Sequence, residues 1–152
     1  MSFDLKYFER FEKQIILKKV GISGQKKILK SKVLIIGVGG VGCPLLTYLA
    51  ASGVGTIGIV DNDKIELSNL NRQTIFTSKD VGKFKVEQAK KYICKVNRKI
   101  KIKAFKQKIN SSNIKSLIED FDIICDGTDN YDTRYIINDH CKLKKKFLYL
   151  LR

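Results

Sequence analysis

Strands are expected at Thr56 to Val60, Phe121 to Cys125 and Phe147 to Leu151, and before them the short apolar run Val33 to Ile36 is rich in β-branched residues. Runs of this kind read as strands buried on both faces, as in a mostly parallel sheet. A further strand spans roughly Ile100 to Ile109, where lysines alternate with Ile100, Ile102, Ala104 and Phe105 and mark a solvated face. Between the strands the apolar spacing becomes helical. Cys43 to Ala51 suits a helix packed on a sheet, with Pro44 tolerated in its first turn. Val81 to Val96, headed by Asp80, buries Val86, Ala89, Ile93 and Val96. A short helix from Asn113 to Glu119 has Ser111 and Ser112 as candidate caps, and Asp132 to Lys144 forms another. At the amino end Phe3, Tyr7, Phe8 and Phe11 repeat at helical spacing in an amphipathic segment reaching Lys13. Gln14 to Val20 follows, then turn-like Gly21, Ser23 and Gly24, then a helical turn at Gln25 to Leu29. This alternation predicts an α/β domain with helices on both faces of the sheet, residues 31–152, preceded by a helical segment, residues 1–30.

The turn after the first strand carries the strongest local signal. Gly37, Gly39 and Gly42 are spaced to turn tightly, to let backbone approach a phosphate and to let the next helix lie close to the strand, while Gly40 adds freedom. A helix N-terminus there directs free N–H groups at an anion, and Asp61, ending the next strand, can accept bonds from a ribose. The alternative is that the glycines serve only close helix–sheet packing. Which nucleotide would bind is left open by this unit.

Past Asp61 the polar groups are denser than a plain connection needs: Asn62, Asp63, Glu66, Ser68, Asn69, Asn71, Arg72 and Gln73, alternating with Ile65, Leu67 and Leu70. They suggest a loop pinned by its apolar residues and presenting amides and an arginine to the ligand. Arg72 has the donor fork suited to phosphate oxygens; the plain reading pairs it with Asp63 or Glu66. Lys85 sits in the first turns of a helix, where a cation is disfavoured unless an anion is near. Asp126 and Asp129 follow the fourth strand three residues apart. Carboxylates there can hold Mg²⁺, which a triphosphate undergoing transfer needs and a nicotinamide enzyme does not.

Thirty Lys and Arg against 15 Asp and Glu give a formal charge of +15. Lysines dominate, with hardly any interleaved aromatics and few arginines, so solvated faces and weak non-specific attraction to polyanions explain the charge better than specific nucleic-acid binding. Cys43, Cys94, Cys125 and Cys141 lack the spacing of metal pairs and read as buried thiols of a reducing compartment, with Cys141 beside His140 as a weaker alternative. His140 is assigned a surface or helix-end role. No signal peptide and no apolar run of membrane-spanning length stands out, so a soluble, cytoplasmic protein without membrane insertion is expected.

The stretch Gly37-Val38-Gly39-Gly40-Val41-Gly42, Asp61, the stretch Glu66-Leu67-Ser68-Asn69-Leu70-Asn71-Arg72-Gln73, Gly82 with Lys85, and Asp126-Gly127-Thr128-Asp129-Asn130 together resemble the ThiF/MoeB/HesA family, the bacterial relatives of ubiquitin-activating enzymes. Within it the chain is most similar to the molybdopterin-synthase and ThiF sulfur-carrier adenylyltransferases, from about Arg10 onward. The resemblance implies a Rossmann-like, ThiF-type nucleotide-binding fold and a homodimeric enzyme using ATP and Mg²⁺. Such an enzyme activates the C-terminal carboxylate of a small ubiquitin-like sulfur carrier, in molybdenum cofactor, thiamine or another sulfur-insertion pathway. It implies further that Asp61 holds the ribose, that Asn69, Arg72 and Lys85 contact phosphates, and that Asp129 organises the metal, with Asp126 a weaker candidate. Gly37, Gly39, Gly40, Gly42, Asp63, Gln73 and Asn130 would complete the cofactor site.

Two departures stand out. Lys13 occupies the place of a family arginine that reaches the neighbouring subunit's phosphates; it keeps the charge and loses the fork. The family's carrier-tail loop, paired zinc cysteines and crossover cysteine have no counterpart before Arg152, so no zinc is expected. A C-terminally truncated product, a fragment, or a split protein completed by a second polypeptide is expected instead. An NAD(P)-binding oxidoreductase domain and a non-catalytic remnant that binds a partner remain as alternatives.

Overall fold

The computed structural model describes residues 5–151, with side chains from residue 8 onward. Helices α1 (Leu5–Ile15) and α2 (Gly21–Lys30) precede β1 (Lys32–Ile36), α3 (Gly42–Ser52) and β2 (Thr56–Val60). Then come α4 (Lys85–Val96), β3 (Lys101–Phe105), α5 (Ile114–Glu119), β4 (Ile123–Asp126), α6 (Tyr131–Leu143) and β5 (Phe147–Leu150). The five strands form one sheet in the order β3-β2-β1-β4-β5, every neighbouring pair parallel.

The central strand shows why the sheet is covered on both sides. Successive side chains of a strand point to opposite faces. Val33 and Ile35 pack with Cys43, Leu46 and Ala50 of α3 and with Val86, Ala89 and Ile93 of α4. Leu34 and Ile36 pack with Ile114, Leu117 and Ile118 of α5 and with Ile137 and Cys141 of α6. The α/β class and the helices on both faces therefore follow from one run of four apolar residues, each almost wholly buried. Phe11 of α1 is also buried, and Gln25 of α2 donates to the Ser52 carbonyl at 2.9 Å, tying the first two helices to the end of α3.

Several sequence expectations need correction. The turn lies earlier, at residues 16–20; Gly21, at φ +57°, already opens α2, and the Gly24 N–H bonds back to Val20, so α2 runs through Ser23 and Gly24 instead of looping there. Asp80 does not head α4: its carboxylate accepts from the Thr77 N–H at 3.0 Å and hydroxyl at 2.7 Å and closes a 3₁₀ turn, and after Gly82, at φ +84°, the helix begins at Lys85. Strand β3 ends at Phe105 because its partner β2 ends opposite it at Val60. Ala104 is exposed on this edge strand, whereas Lys103 is partly covered, 2.6 Å from Asp120 and above the Phe121 ring, so the lysine face is not simply solvated. The turn before α5 is made by Asn110, whose Oδ1 accepts from the N–H groups of Ser112 and Asn113, not by the serines. Cys94 is exposed, unlike the other three cysteines. Phe3 and Arg152 lie outside the described residues, as does the side chain of Tyr7.

Gly58, in the middle of β2, has no room for a side chain: a Cβ there would lie 2.4 Å from Phe121 Cζ and 2.6 Å from Leu34 Cδ1. Gly58→Ala should lower stability by roughly 2–3 kcal/mol through overpacking. Adding Phe121→Leu should recover part of the loss, and urea unfolding midpoints of the single and double variants check both statements.

Candidate functional site

The strand order reverses at β1, with β2 and β3 on one side and β4 and β5 on the other. In such sheets a crevice opens beyond the carboxyl ends of the central strands. A cavity of about 690 Å³ lies there, lined by residues that follow β1, β2 and β4 and by the start of α4. Gly37 takes φ +89° with a notional Cβ 2.9 Å from the Gly127 carbonyl oxygen, and a Cβ on Gly42 would fall 2.1 Å from the Gly37 oxygen. These two positions admit only glycine, because the turn folds back on itself and on the β4 loop. Gly39 by contrast faces open space in the cavity, and no side chain caps the N-terminus of α3. An uncapped helix start beside a bare backbone turn suits an anion.

Asp61 holds this turn in place. Its Oδ2 accepts from the Val38 N–H and its Oδ1 from the Asp63 N–H, both at 2.8 Å. Burial pushes its carboxyl above the usual carboxylate range, and the two amide bonds and Lys85 pull it back only in part. Lys85, nearly buried, places its ammonium 2.9 Å from Asp63 Oδ2. Cys43 beneath the turn is a buried thiol: burial pushes it up to about 12 despite Lys85 nearby, and its sulfur lies 3.6 Å from the Val38 carbonyl oxygen.

The loop after β2 is anchored by Ile65, Ile75 and Phe76, which are buried, and by Leu70 in part; Leu67 is exposed and pins nothing. A 3₁₀ turn at Leu67–Asn69 is closed reciprocally with Glu66, whose N–H donates to Asn69 Oδ1 at 3.1 Å. Arg72 pairs with neither Asp63 nor Glu66. Its Nη1 donates to the Ser68 carbonyl and to Asn71 Oδ1, both at 3.1 Å, and its stem lies against Gly40. Gln73 is buried, with Oε1 lacking any hydrogen-bond partner.

On the β4 side Asp129 and Asn130 line the cavity from exposed positions, and Asn130 also caps α6 through the Thr133 N–H at 3.0 Å. Asp126 requires a correction. It is fully buried and does not line the cavity; its Oδ1 accepts from the Thr128 N–H and hydroxyl, while its Oδ2 has no hydrogen-bond partner among the described residues, so the fold sets it apart from the other candidate residues. Lys13 also lies elsewhere, exposed on α1 beside Glu12, and the fold does not bring it to its own chain's cavity. Gly37, Gly39, Gly40, Asp61, Asp63, Asn69, Arg72, Gln73 and Lys85 all reach the lining, with Gly42 just beneath it. Sequence reasoning missed Arg134, whose guanidinium is held by the Thr128 carbonyl, and Lys108, delivered by the loop after β3. Each was hidden in an element read as ordinary helix or solvated strand. The lining joins fixed cations, bare amides and one uncommitted carboxylate, a set able to bind a polyphosphate and position a metal on it.

The model of the ThiF family matches residues 11–149. The chain belongs to the ThiF family. It is 44% identical over 149 residues to a probable molybdopterin-synthase adenylyltransferase of Porphyra purpurea, covering 97% of this chain and 39% of that protein. It is 44% identical over 137 residues to a probable adenylyltransferase/sulfurtransferase MoeZ of Mycobacterium tuberculosis, covering 90% of this chain and 35% of that protein. The chain thus spans well under half the length of these relatives. Among solved structures, E. coli MccB with AMPCPP and MccA superposes with a TM-score of 0.79 at 33% identity, over 83% of this chain and 37% of that one. The E. coli tRNA N6-threonylcarbamoyladenosine dehydratase TcdA with ATP gives a TM-score of 0.92 at 21% identity, over 99% and 61%, a likeness of fold.

The thiol environments give a direct check on the burial of the turn. Cys43 is raised to about 12 and Cys125 and Cys141 to about 11, all by burial, while Cys94 is exposed. At pH 8 the native protein should react promptly with an aromatic disulfide reagent at Cys94 alone, and at all four cysteines once denatured; prompt reaction of Cys43 in the native state would show that the glycine turn opens readily.

Proposed function

We propose that the cavity binds ATP with Mg²⁺ and that the ThiF-family protein containing this chain activates the C-terminal carboxylate of a small ubiquitin-like sulfur-carrier protein as an acyl adenylate. The carrying observation is that the glycine turn, Arg72, Lys85 and Asp129 line one cavity. The names of the relatives as adenylyltransferases, and AMPCPP with MccA in the MccB structure, support the same reading.

In this reading the ribose lies by Asp61, and the phosphates run over Gly39 and Gly40 toward Asn69, Arg72 and Lys85. A carboxylate oxygen of the carrier attacks the α-phosphorus, the bond to the bridging oxygen breaks, and pyrophosphate leaves. No protein nucleophile is needed. The chain's task is to align the triphosphate and spread its charge over donors fixed before binding, which is where most of the rate arises in such transfers.

The residues present fit a magnesium ion. Asp129 is exposed in the cavity with no hydrogen bond or ion pair on its carboxylate among the described residues. No cluster of three or more metal-ligating side chains occurs among those residues, in keeping with Mg²⁺ taken largely by phosphate and water. Bound there, the metal would neutralise charge on the phosphates. Lys13 stands on an exposed face of α1, from which we assign it to the phosphates of a second copy in a homodimer. The free thiols favour a reducing compartment such as the cytoplasm.

Calorimetry should give binding of ATP with Mg²⁺ and none of NAD; the reverse would favour an oxidoreductase domain. Arg72→Ala should weaken ATP binding by about 1.5–3 kcal/mol, the range for hydrogen bonds to a charged group. Asp129→Asn should leave the circular dichroism spectrum unchanged and abolish carrier-dependent ATP–pyrophosphate exchange. Unchanged exchange would remove Asp129 from the chemistry.

A further inference from the structure

Lys85 presents a problem of electrostatics. It opens α4, where the helix dipole opposes a cation, and its side chain is only 8% exposed, so an ammonium is held in an unfavourable place without a bound anion. Asp63 resolves it. The Asp63 carboxylate, 59% exposed, meets Lys85 Nζ at 2.9 Å, and the Asp63 carbonyl accepts the Lys85 backbone N–H at 3.0 Å. The Asp63 N–H in turn donates to Asp61 Oδ1 at 2.8 Å, and Asp61 Oδ2 holds the Val38 N–H of the glycine turn. One strand of bonds therefore runs from the phosphate turn through Asp61 and Asp63 to both ends of Lys85. The antiparallel bridge between Lys64 and Phe84 fixes the two segments side by side.

We propose that Asp63 is a positioning residue: it aims the Lys85 ammonium at the phosphates and is not itself a nucleotide or metal ligand. The proposal rests on the nucleotide reading of the cavity. An acid that touched phosphate directly would repel it, whereas an acid spent on one N–H of the ammonium leaves the other two for phosphate oxygens. It also fixes a long, mobile side chain before the ligand arrives, so less order is lost at the moment of reaction.

The first test uses no nucleotide. Reductive methylation of the protein, with site occupancy read by mass spectrometry, should modify Lys85 slowly in the wild type and at least fivefold faster in Asp63→Asn. Asp63→Glu, with the charge kept on a longer arm, should stay near the wild-type rate and supplies a second variant if the first folds poorly. Equal Lys85 rates in wild type and Asp63→Asn overturn the proposal. In ATP titrations with Mg²⁺, Asp63→Asn should keep the Kd within about threefold of wild type while carrier-dependent pyrophosphate release falls about tenfold. In a Lys85→Met background the same substitution should change neither quantity. Loss of ATP binding in step with turnover, or a higher Mg²⁺ requirement, would make Asp63 a ligand and overturn the proposal. If the wild type binds no ATP, the nucleotide reading fails, and with it the role assigned to Asp63, even where the methylation rates reveal the pairing.

Discussion

The site depends on one carboxylate bridging two backbone amides. Asp61 stands where β2 ends, and from there it fastens Val38 in the turn after β1 and Asp63 in the loop that follows. Each bond is charge-assisted, and the one to Val38 is also partly buried, the conditions under which such bonds are strongest. Without them the glycine turn would keep only the weak Cys43 thiol contact to the Val38 carbonyl and the Arg72 stem against Gly40, and its freedom of conformation is also a freedom to move. The residue that a nucleotide-fold motif assigns to the ribose thus has structural work before any ligand arrives. Burial raises its pKa, so the folded state binds its proton more tightly than the unfolded chain. Its ionised form therefore costs stability above the folded pKa, and that cost is relieved as the pH falls through the folded pKa toward the ordinary carboxylate value.

How much of this was legible in the sequence depended on whether a residue's role was fixed by its neighbours in the chain or by a distant partner. The central strand, the glycine turn and the parallel sheet were legible because burial on both faces and positive φ leave few choices of residue. Arg72 stood out among polar groups too numerous for a plain connection, Lys85 as a cation at a helix start and Asp129 as a carboxylate past a strand end, and the fold places all three on one cavity. Asp126 was misread because its burial and its bonds to Thr128 appear only once β4 is seated in the sheet. The start of α4 was misread because Asp80 caps as readily in a 3₁₀ turn as in a helix, and the choice is made by Gly82 and by the tie between Ile65 and Lys83. Lys103 looked solvated by alternation, yet it meets Asp120 and the Phe121 ring across the sheet. Arg134 sat in an ordinary helix pattern, and only the loop carbonyl of Thr128 turns it toward the cavity.

Charge is distributed differently in the site than in the chain. Lys64, Arg72, Lys85, Lys108 and Arg134 line the cavity opposite Asp61, Asp63, Glu66 and Asp129, so its formal charges nearly balance although the chain carries +15. The polyphosphate proposed for the cavity would therefore be drawn toward the protein by a broad positive field that salt readily screens, but held by a few groups whose positions are set. Those groups are constrained in pairs: Lys85 by Asp63, Arg72 by the Ser68 carbonyl, Arg134 by the Thr128 carbonyl. Each pairing lowers the raw attraction to an anion while fixing direction, and in the proposed transfer direction is what separates tight binding of a substrate from stabilisation of the charge that would develop at the α-phosphorus. Adding lysines to the rim would raise association without improving alignment, so the surplus charge of the chain and the near-neutral cavity are two separate devices.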